Sequence, residues 1–596
     1  MQTVPERLAA LRAAMAAAGC SAYLMPSSDP HSSEYAPAHY TSWEYFSGFP
    51  CENATLVVTP DAAALWVDGR FFGAADAALA GTGVASMHTG VKGVPEVEEY
   101  LSNVLKEGSV LGYCAETMPV KRCRELADLT ARLGAELRPL HLEDEVWVEG
   151  RPALPATPAW LLGEQYAGST PAQKLQVLRG ELAARGCTAA LVTKLDSVAW
   201  LLNLRAADVD DTPYALAFCY VGSQDAVLFM DSARLAPEAA AALAEAGVSL
   251  RGYGEMPAFL AANTRPETVL ADPATLNAAL ANALAHNPAY TVKELADPIQ
   301  MLKAVKNDTE LACTREAHLR DAVAMVRFQK ELEERLAAGE ELRETGIDPI
   351  LHKYRSADSL FLTESFGTIA AYGPNAAMMH YAPRAGADAA IQRKGFLLVD
   401  SGATYYDGTT DITRTYAVGP LTEQEKIWYT QVLRCHVDLA MAVWKEGATG
   451  SDLDMLARQP LWRHLLDYRC GTGHSVSHVG AVHEGPHSLR PHNAVAFVPG
   501  MVITDEPGIY EEGQVGIRIE NELVCCEAGE SAYGRFLRFE PLTWVPIDTT
   551  AVLPALLTAE ERDWLNGYHA AVYEKLAPRL TGQERAWLQT KCAPLA

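Results

Sequence analysis

Two rhythms of apolar and polar positions run along the chain. In the front half, Leu8, Leu11 and Arg12 lead to Gly19-Cys20, Ala22, Leu24 and Asp29. Further on, Leu175, Leu178 and Arg179 lead to Gly186-Cys187, Ala189, Leu191 and Asp196 at one constant offset. Each set predicts an amphipathic helix stopped by glycine, then an apolar strand and a polar turn. A hairpin pattern follows in both, Val57–Phe71 and Tyr220–Leu235, with apolar runs on either side of a polar turn. The spacing is too long for a solenoid, so the pattern reads as a duplicated α/β domain. The Pro-rich stretch Gly150–Trp160 predicts the linker. Near Lys303–Asp308 the texture changes to a long charged helical pattern, and Gly-, Asp- and His-rich strands between helices follow. The expected domains are therefore 1–155 and 156–304, both α/β, then 305–596.

Composition narrows the function classes. A 596-residue chain implies about three domains, and 49% hydrophobic content supplies several cores. The net charge of −26, without a Lys/Arg block, argues against a nucleic-acid partner. No apolar run reaches the ~20 residues of a membrane span. Glu6, Arg7 and Arg12 break up any signal-peptide pattern, and twelve scattered cysteines without a CxxC pair read as reduced. The expected setting is cytoplasmic, with no membrane partner.

The chemistry-bearing residues cluster in the third domain. Phe396–Val418 reads as an apolar strand ending at Asp400, a turn, and a second strand carrying Asp411. A carboxylate aimed into protein is costly unless paired, and two on neighbouring strands repel, so a divalent cation would resolve both problems. Cys470–Ser488 brings His474, His478, His483 and His487 among glycines. In Pro499–Cys526, Glu506 ends an apolar strand and Glu520 lies within another, with Arg518 on the same face as Glu520. Singly, each residue reads as a turn, cap or core group, and Asp407-Gly408 reads as a turn. Together, four carboxylates and one imidazole suit two metals about 3.5–4 Å apart. Oxygen-rich ligation favours Mn²⁺, with Co²⁺ or Zn²⁺ as alternatives.

These stretches resemble the pita-bread metallopeptidase family, which includes methionine aminopeptidases and prolidases. The resemblance is to its long, three-domain cytosolic aminopeptidase P (Xaa-Pro aminopeptidase) branch. It is carried by SSDPHSSEYAPAHYTSWEYFSGF, LDSVAWLLNLRAADV, GPNAAMMHYAPRAG, VDSGATYYDGTTDITRT, GTGHSVSHVGAVHEGP, TDEPGIY and GIRIENELV, and spans nearly the whole chain. It implies two related creatinase-like α/β domains before a pita-bread α+β catalytic domain, and a homodimer. It also implies release of the N-terminal residue from peptides with proline second, by a hydroxide bridging two metal ions. By motif, Asp400 would hold one metal, Asp411 and Glu520 would bridge both, and His474 and Glu506 would complete the second, with Glu506 as general base. His380 and His483 would contact the peptide and its tetrahedral intermediate. Arg518 and Tyr510 would lie near the metals. Arg70 would help position substrate, although a solvated hairpin arginine is the competing reading. A prolidase and a non-catalytic module on the same fold are the rival readings. Two positions depart from the family. Cys470 stands where some members have histidine, and reads as nucleophile, ligand or cleft wall, the last favoured. His478 reads as a cleft or core residue rather than half of an HxxxH metal pair.

Overall fold

The computed structural model describes residues 2–596. The chain forms two compact units. The first takes in the chain up to Leu162, Ser169–Asp210 and Tyr214–Ile299. The second comprises Gly163–Gly168, Asp211–Pro213 and Gln300–Ala596.

The first unit repeats one design. The helix Val4–Ala17 begins in a capping box of Thr3 and Glu6, and the helix Pro171–Ala184 in one of Thr170 and Gln173. In each box the side chains satisfy backbone N–H groups that the first helical turn leaves open. Leu8 and Leu11 are buried on the first helix, Leu175 and Leu178 on the second. Each helix leads into the middle of a six-stranded sheet. By residue range, the first sheet runs 85–88, 63–67, 54–58, 22–26, 110–113, 136–139. The second runs 248–251, 226–229, 218–221, 189–192, 267–271, 290–294. Both have the same neighbours. The lead strand and its hairpin are antiparallel, and the outer strands add in parallel. Such sheets need cover on both faces, so their central strands are apolar throughout. Between the two halves lies a polar seam around fully buried His31. Its Nδ1 lies 2.7 Å from the Thr193 carbonyl, its Nε2 2.8 Å from the Tyr253 hydroxyl, and its ring stacks on Phe218.

The second unit is α+β. The expected charged helix spans Asp308–Ala337, capped by Asn307 and Glu310. Its buried face packs with the helices Glu423–Ala440 and Ala559–Leu576 against the strand Phe396–Ser401. That strand is the centre of an antiparallel trio with Ile369–Tyr372 and Ile412–Ala417. A four-stranded sheet joins Val443–Lys445, Gly534–Pro541, Asn521–Ser531 and Val502–Asp505. Two short hairpins, Gly473–Ser475 with Glu484–Leu489 and Gly508–Glu511 with Val515–Arg518, complete the unit. Three sequence expectations shift by a residue or two. Asp411 precedes its strand instead of lying in it. Glu506 follows the strand Val502–Asp505. Glu520 falls in a break, because the chain leaves the hairpin after Arg518 and joins the larger sheet at Asn521.

Behind these strands the unit buries a charged pair. Arg355 and Asp321 are both fully buried, with Nε–Oδ1 2.8 Å and Nη2–Oδ2 3.1 Å. Asp321 also accepts the hydroxyls of Tyr405 and Thr410, at 2.9 and 3.0 Å. The helix thereby holds the residue immediately before Asp411. Arg355→Ala strands the Asp321 carboxylate in the interior, a loss of about 3–5 kcal/mol. Chemical denaturation followed by Trp fluorescence should show the second unit's midpoint falling; an unchanged midpoint would contradict a structural role for the pair.

Candidate metal centre

Each acidic group of the set sits where a strand ends or breaks, so its side chain faces another chain end instead of a ladder neighbour. Asp400 lies opposite Thr413 across the antiparallel pair. Glu520 reaches the same threonine: its N–H donates to the Thr413 carbonyl at 3.2 Å, and its Oε2 accepts the Thr413 hydroxyl at 2.6 Å. Arg518 Nε donates to that hydroxyl oxygen at 3.1 Å, so Arg518 and Glu520 share a face as their spacing predicts. Arg518 Nη2 donates to Asp400 Oδ2 at 2.6 Å, and Nη1 to the Tyr510 hydroxyl at 2.8 Å. Burial pushes the Tyr510 phenol up, keeping it protonated.

His474 arrives from the Gly-rich hairpin. Gly473 is required there, since a Cβ would come within 1.8 Å of the Thr504 carbonyl oxygen. The His474 N–H donates to the Thr504 hydroxyl at 3.0 Å. Its Nε2 then lies 3.4 Å from Asp411 Oδ2 and 3.3 Å from Glu506 Oε1. One ligand atom each from Asp411, His474 and Glu520 fall within 4.8 Å of one another. His483 stands edge-on to His474, with ring centroids 4.2 Å apart.

The electrostatics ask for cations. Burial first, then the neighbouring carboxylates, push the carboxyls of Asp411 and Glu520 well above the usual range. Asp400 Oδ1, Asp411 Oδ1 and Glu520 Oε1 are buried and accept no hydrogen bond. Buried oxygens of this kind are normally satisfied, so three from three different carboxylates mark a place for an oxygen-seeking ion. The donor set of four carboxylates and one imidazole fits divalent metals.

The remaining expected residues are placed as follows. His380 is half-buried, in the irregular stretch after the turn Gly373–Ala377. Arg70 belongs to the first unit, where Asp68 holds it (Nη2–Oδ2 2.7 Å) and Glu34 lies 3.9 Å away. His478 is buried, with Nδ1 3.2 Å from the Thr314 hydroxyl and Nε2 3.0 Å from the Tyr166 carbonyl, so both ring nitrogens are engaged away from the carboxylates. His487 is fully buried against the Val502 carbonyl, and burial with the nearby Lys306 charge lowers it to about 4. Cys470 is half-buried, and burial followed by the Glu506 charge pushes its thiol up to about 12. The expected turn falls one residue earlier, at Tyr406-Asp407, with Gly408 opening the next strand and Asp407 paired to Arg320 at 2.8 Å. Sequence reasoning missed Thr413, which holds both Glu520 and Arg518. It also missed Glu522, fully buried 3.3 Å from His318, whose charge adds to the load on Asp411. The spacing from Glu520 to Glu522, one strand repeat, was the available signal for the latter.

Comparison with known proteins adds to this geometry. Residues 312–527 match the model of metallopeptidase family M24, and 535–595 match the C-terminal region of peptidase M24. Residues 7–142 and 150–310 each match the creatinase/prolidase N-terminal domain. The chain is 37% identical to aminopeptidase P2 of Arabidopsis thaliana over 631 residues, covering 100% of this chain and 89% of the relative. It is 37% identical to a probable Xaa-Pro aminopeptidase P of Sordaria macrospora over 608 residues, with 99% of each chain covered. The crystal structure of X-prolyl aminopeptidase from Caenorhabditis elegans, described as a cytosolic enzyme with a di-nuclear active site, superposes with a TM-score of 0.95. It shares 34% identity and covers 100% of both chains.

A thiol is a soft donor beside four carboxylates that suit hard ions, so Cys470 is expected only to line the cleft. Metal analysis and steady-state kinetics on Cys470→Ala beside His474→Ala check this. Cys470→Ala should keep its metal and most of its turnover while His474→Ala loses both. A loss in Cys470→Ala as deep as in His474→Ala would place the thiol in the working machinery.

Proposed function

The chain belongs to metallopeptidase family M24, among its Xaa-Pro aminopeptidases, and on that premise we propose that Asp400, Asp411, His474, Glu506 and Glu520 hold two divalent metal ions. The protein is a metal-dependent aminopeptidase that removes the N-terminal residue from peptides with proline at the second position. The observation that carries the metal reading is the trio of buried carboxylate oxygens without hydrogen-bond partners, beside an imidazole. We assign Mn²⁺ as the native ion on the oxygen-rich donor set. When bound, divalent ions supply Lewis acidity and a water acidic enough to ionise near neutral pH.

The protein's own groups do the rest. Glu506 takes the proton of the attacking water on its carboxylate. That side chain is 21% exposed where Asp411 is 5%, so it faces the cleft. His380 and His483 donate N–H bonds to the carbonyl oxygen as charge develops on it. Arg518 orients Asp400, and Tyr510 fixes the far end of Arg518. Arg70 belongs to substrate positioning in this reading. The substrate bond is a tertiary amide without an N–H, so the enzyme must recognise it by shape and by its free amine, not by gripping a backbone donor.

The cytoplasm is the proposed setting. No helix among the described residues is long and apolar enough to cross a membrane. The proposed partner is a second copy of the chain. Met455, Leu456 and Trp462 on the helix Gly450–Trp462, with Leu465 just beyond, are exposed, Leu465 by 95%. These four exposed apolar side chains on and just beyond one helix are what supports that reading.

Two measurements test the reading. Glu520→Ala removes one of the carboxylates that would hold the two metal ions. Metal content should fall and kcat/KM should drop by several orders of magnitude; full metal occupancy with near-normal turnover would refute the assignment. A free Xaa-Pro-Yaa peptide should be cleaved and its N-acetyl form left nearly intact, because the amine is what the acidic cleft recognises. Equal rates on the two would rule out an aminopeptidase.

A further inference from the structure

Glu344 opens a short turn, Glu344–Gly346, and is fully buried. Its carboxylate accepts five hydrogen bonds, all from neutral groups of one segment. The donors are the Tyr372 N–H (2.7 Å), the Asn375 amide to both oxygens (3.0 and 3.1 Å), the Tyr381 hydroxyl (2.7 Å) and the Ala389 N–H (2.6 Å). The Asn375 amide also lies 3.1 Å from the Tyr381 hydroxyl. Burial, followed by this bond to Glu344, pushes the Tyr381 phenol up, so it stays a donor.

The segment so gripped leaves the strand Ile369–Tyr372 and has neither helix nor strand between Ala377 and Phe396. His380 sits in it, one residue before Tyr381. The residues flanking Glu344 close its base: Arg343 Nε lies 3.1 Å from Asp388 Oδ1, and the Thr345 hydroxyl donates to Asp388 Oδ2 at 2.6 Å. On its other side the Ala376 carbonyl lies against Gly516, where a Cβ would come within 1.7 Å of that oxygen. An irregular segment has no ladder to hold its shape, so side-chain acceptors must satisfy its donors. A carboxylate buried among neutral donors alone is a poor choice for stability and a good one for geometry.

We propose that Glu344 is a positioning residue that sets His380 in the cleft, through Tyr381 and Asn375. The inference rests on the role given to His380 above. An apolar residue at 344 would fill the space but would leave donors on both sides of His380 unsatisfied, and the ring would drift.

The test is a double-mutant cycle on the full-length, metal-loaded enzyme with an Xaa-Pro-Yaa peptide. Tyr381→Phe removes one hydroxyl, and Glu344→Gln exchanges one accepting oxygen for an amide that cannot accept. Misplacement of a reacting group by about 1 Å costs about 10²-fold. On that scale kcat should fall about 10-fold in Tyr381→Phe and about 10²-fold in Glu344→Gln. KM and metal content should change little in both, and the thermal midpoint should fall more in Glu344→Gln, which leaves buried donors unsatisfied, than in Tyr381→Phe. In a His380→Ala background the same changes should add less than about twofold, since coupled residues are not additive. Undiminished losses in that background, or an unchanged kcat in Tyr381→Phe, would overturn the assignment of Glu344. Near-normal kcat in His380→Ala alone would instead overturn the role given to His380. Should Glu344→Gln fail to fold, Tyr381→Phe decides the matter alone.

Discussion

Mutual repulsion of buried carboxylates is the constraint on which the second unit is built. Ligand atoms of Asp411 and Glu520 lie within 4.8 Å of each other. Two unit charges that close repel by about 3–4 kcal/mol at an effective dielectric of about 20. Asp400 and Glu506 add to the same field, and one guanidinium, Arg518, offsets part of it. No packing of apolar neighbours relieves such a load. Bound protons or cations do, so the fold's task is to hold the carboxylates in place for them.

It does so with backbone breaks and buried donors. Leaving one sheet for another at Ile519–Glu520 frees carbonyls that a continuous ladder would have satisfied. Arg414 takes them up. It is almost wholly buried and donates to the carbonyls of Glu520, Thr413 (2.8 Å), Val545 (2.7 Å) and Pro546 (3.0 Å), and to Asn521 Oδ1 (2.8 Å). On the opposite face of the same strand, the Thr413 hydroxyl donates to Glu520 and the Thr415 hydroxyl to the Arg518 carbonyl at 2.8 Å. Thr413, Arg414 and Thr415 therefore each have a defined partner, which is how so polar a stretch of strand can be buried.

That also explains which parts were legible beforehand. Local rules are written locally: the glycine stops after the two lead helices and the hairpin turns lie within a few residues of what they control. The shared design of the two front halves was visible because duplication repeats such local signals. The acidic and imidazole set was visible as strand-end residues in order. The anchors behind it were not. Asp321 reaches Thr410 from a helix far upstream, and Glu344 reaches Tyr381 across an irregular segment. In the sequence each is one more acidic residue in a chain that carries 75. The grouping of Gly163–Gly168 and Asp211–Pro213 with the second unit was equally hidden, since it depends on packing and not on pattern.

Exposure divides the acidic set in a way that bears on its chemistry. The side chains of Asp411 and Glu506 are 5% and 21% exposed, and His474 is 19% exposed. Groups sealed from water suit structural charge sharing, because nothing competes for their oxygens. Groups that meet the cleft suit proton transfer, because a base must reach the water it deprotonates and then release the proton. Glu506 lies on the more exposed side with His474, whose ring stands edge-on to His483, while Asp411 and Glu520 are buried. The same chain thus supports the division proposed for it: bridging carboxylates in the interior, base and imidazoles at the mouth.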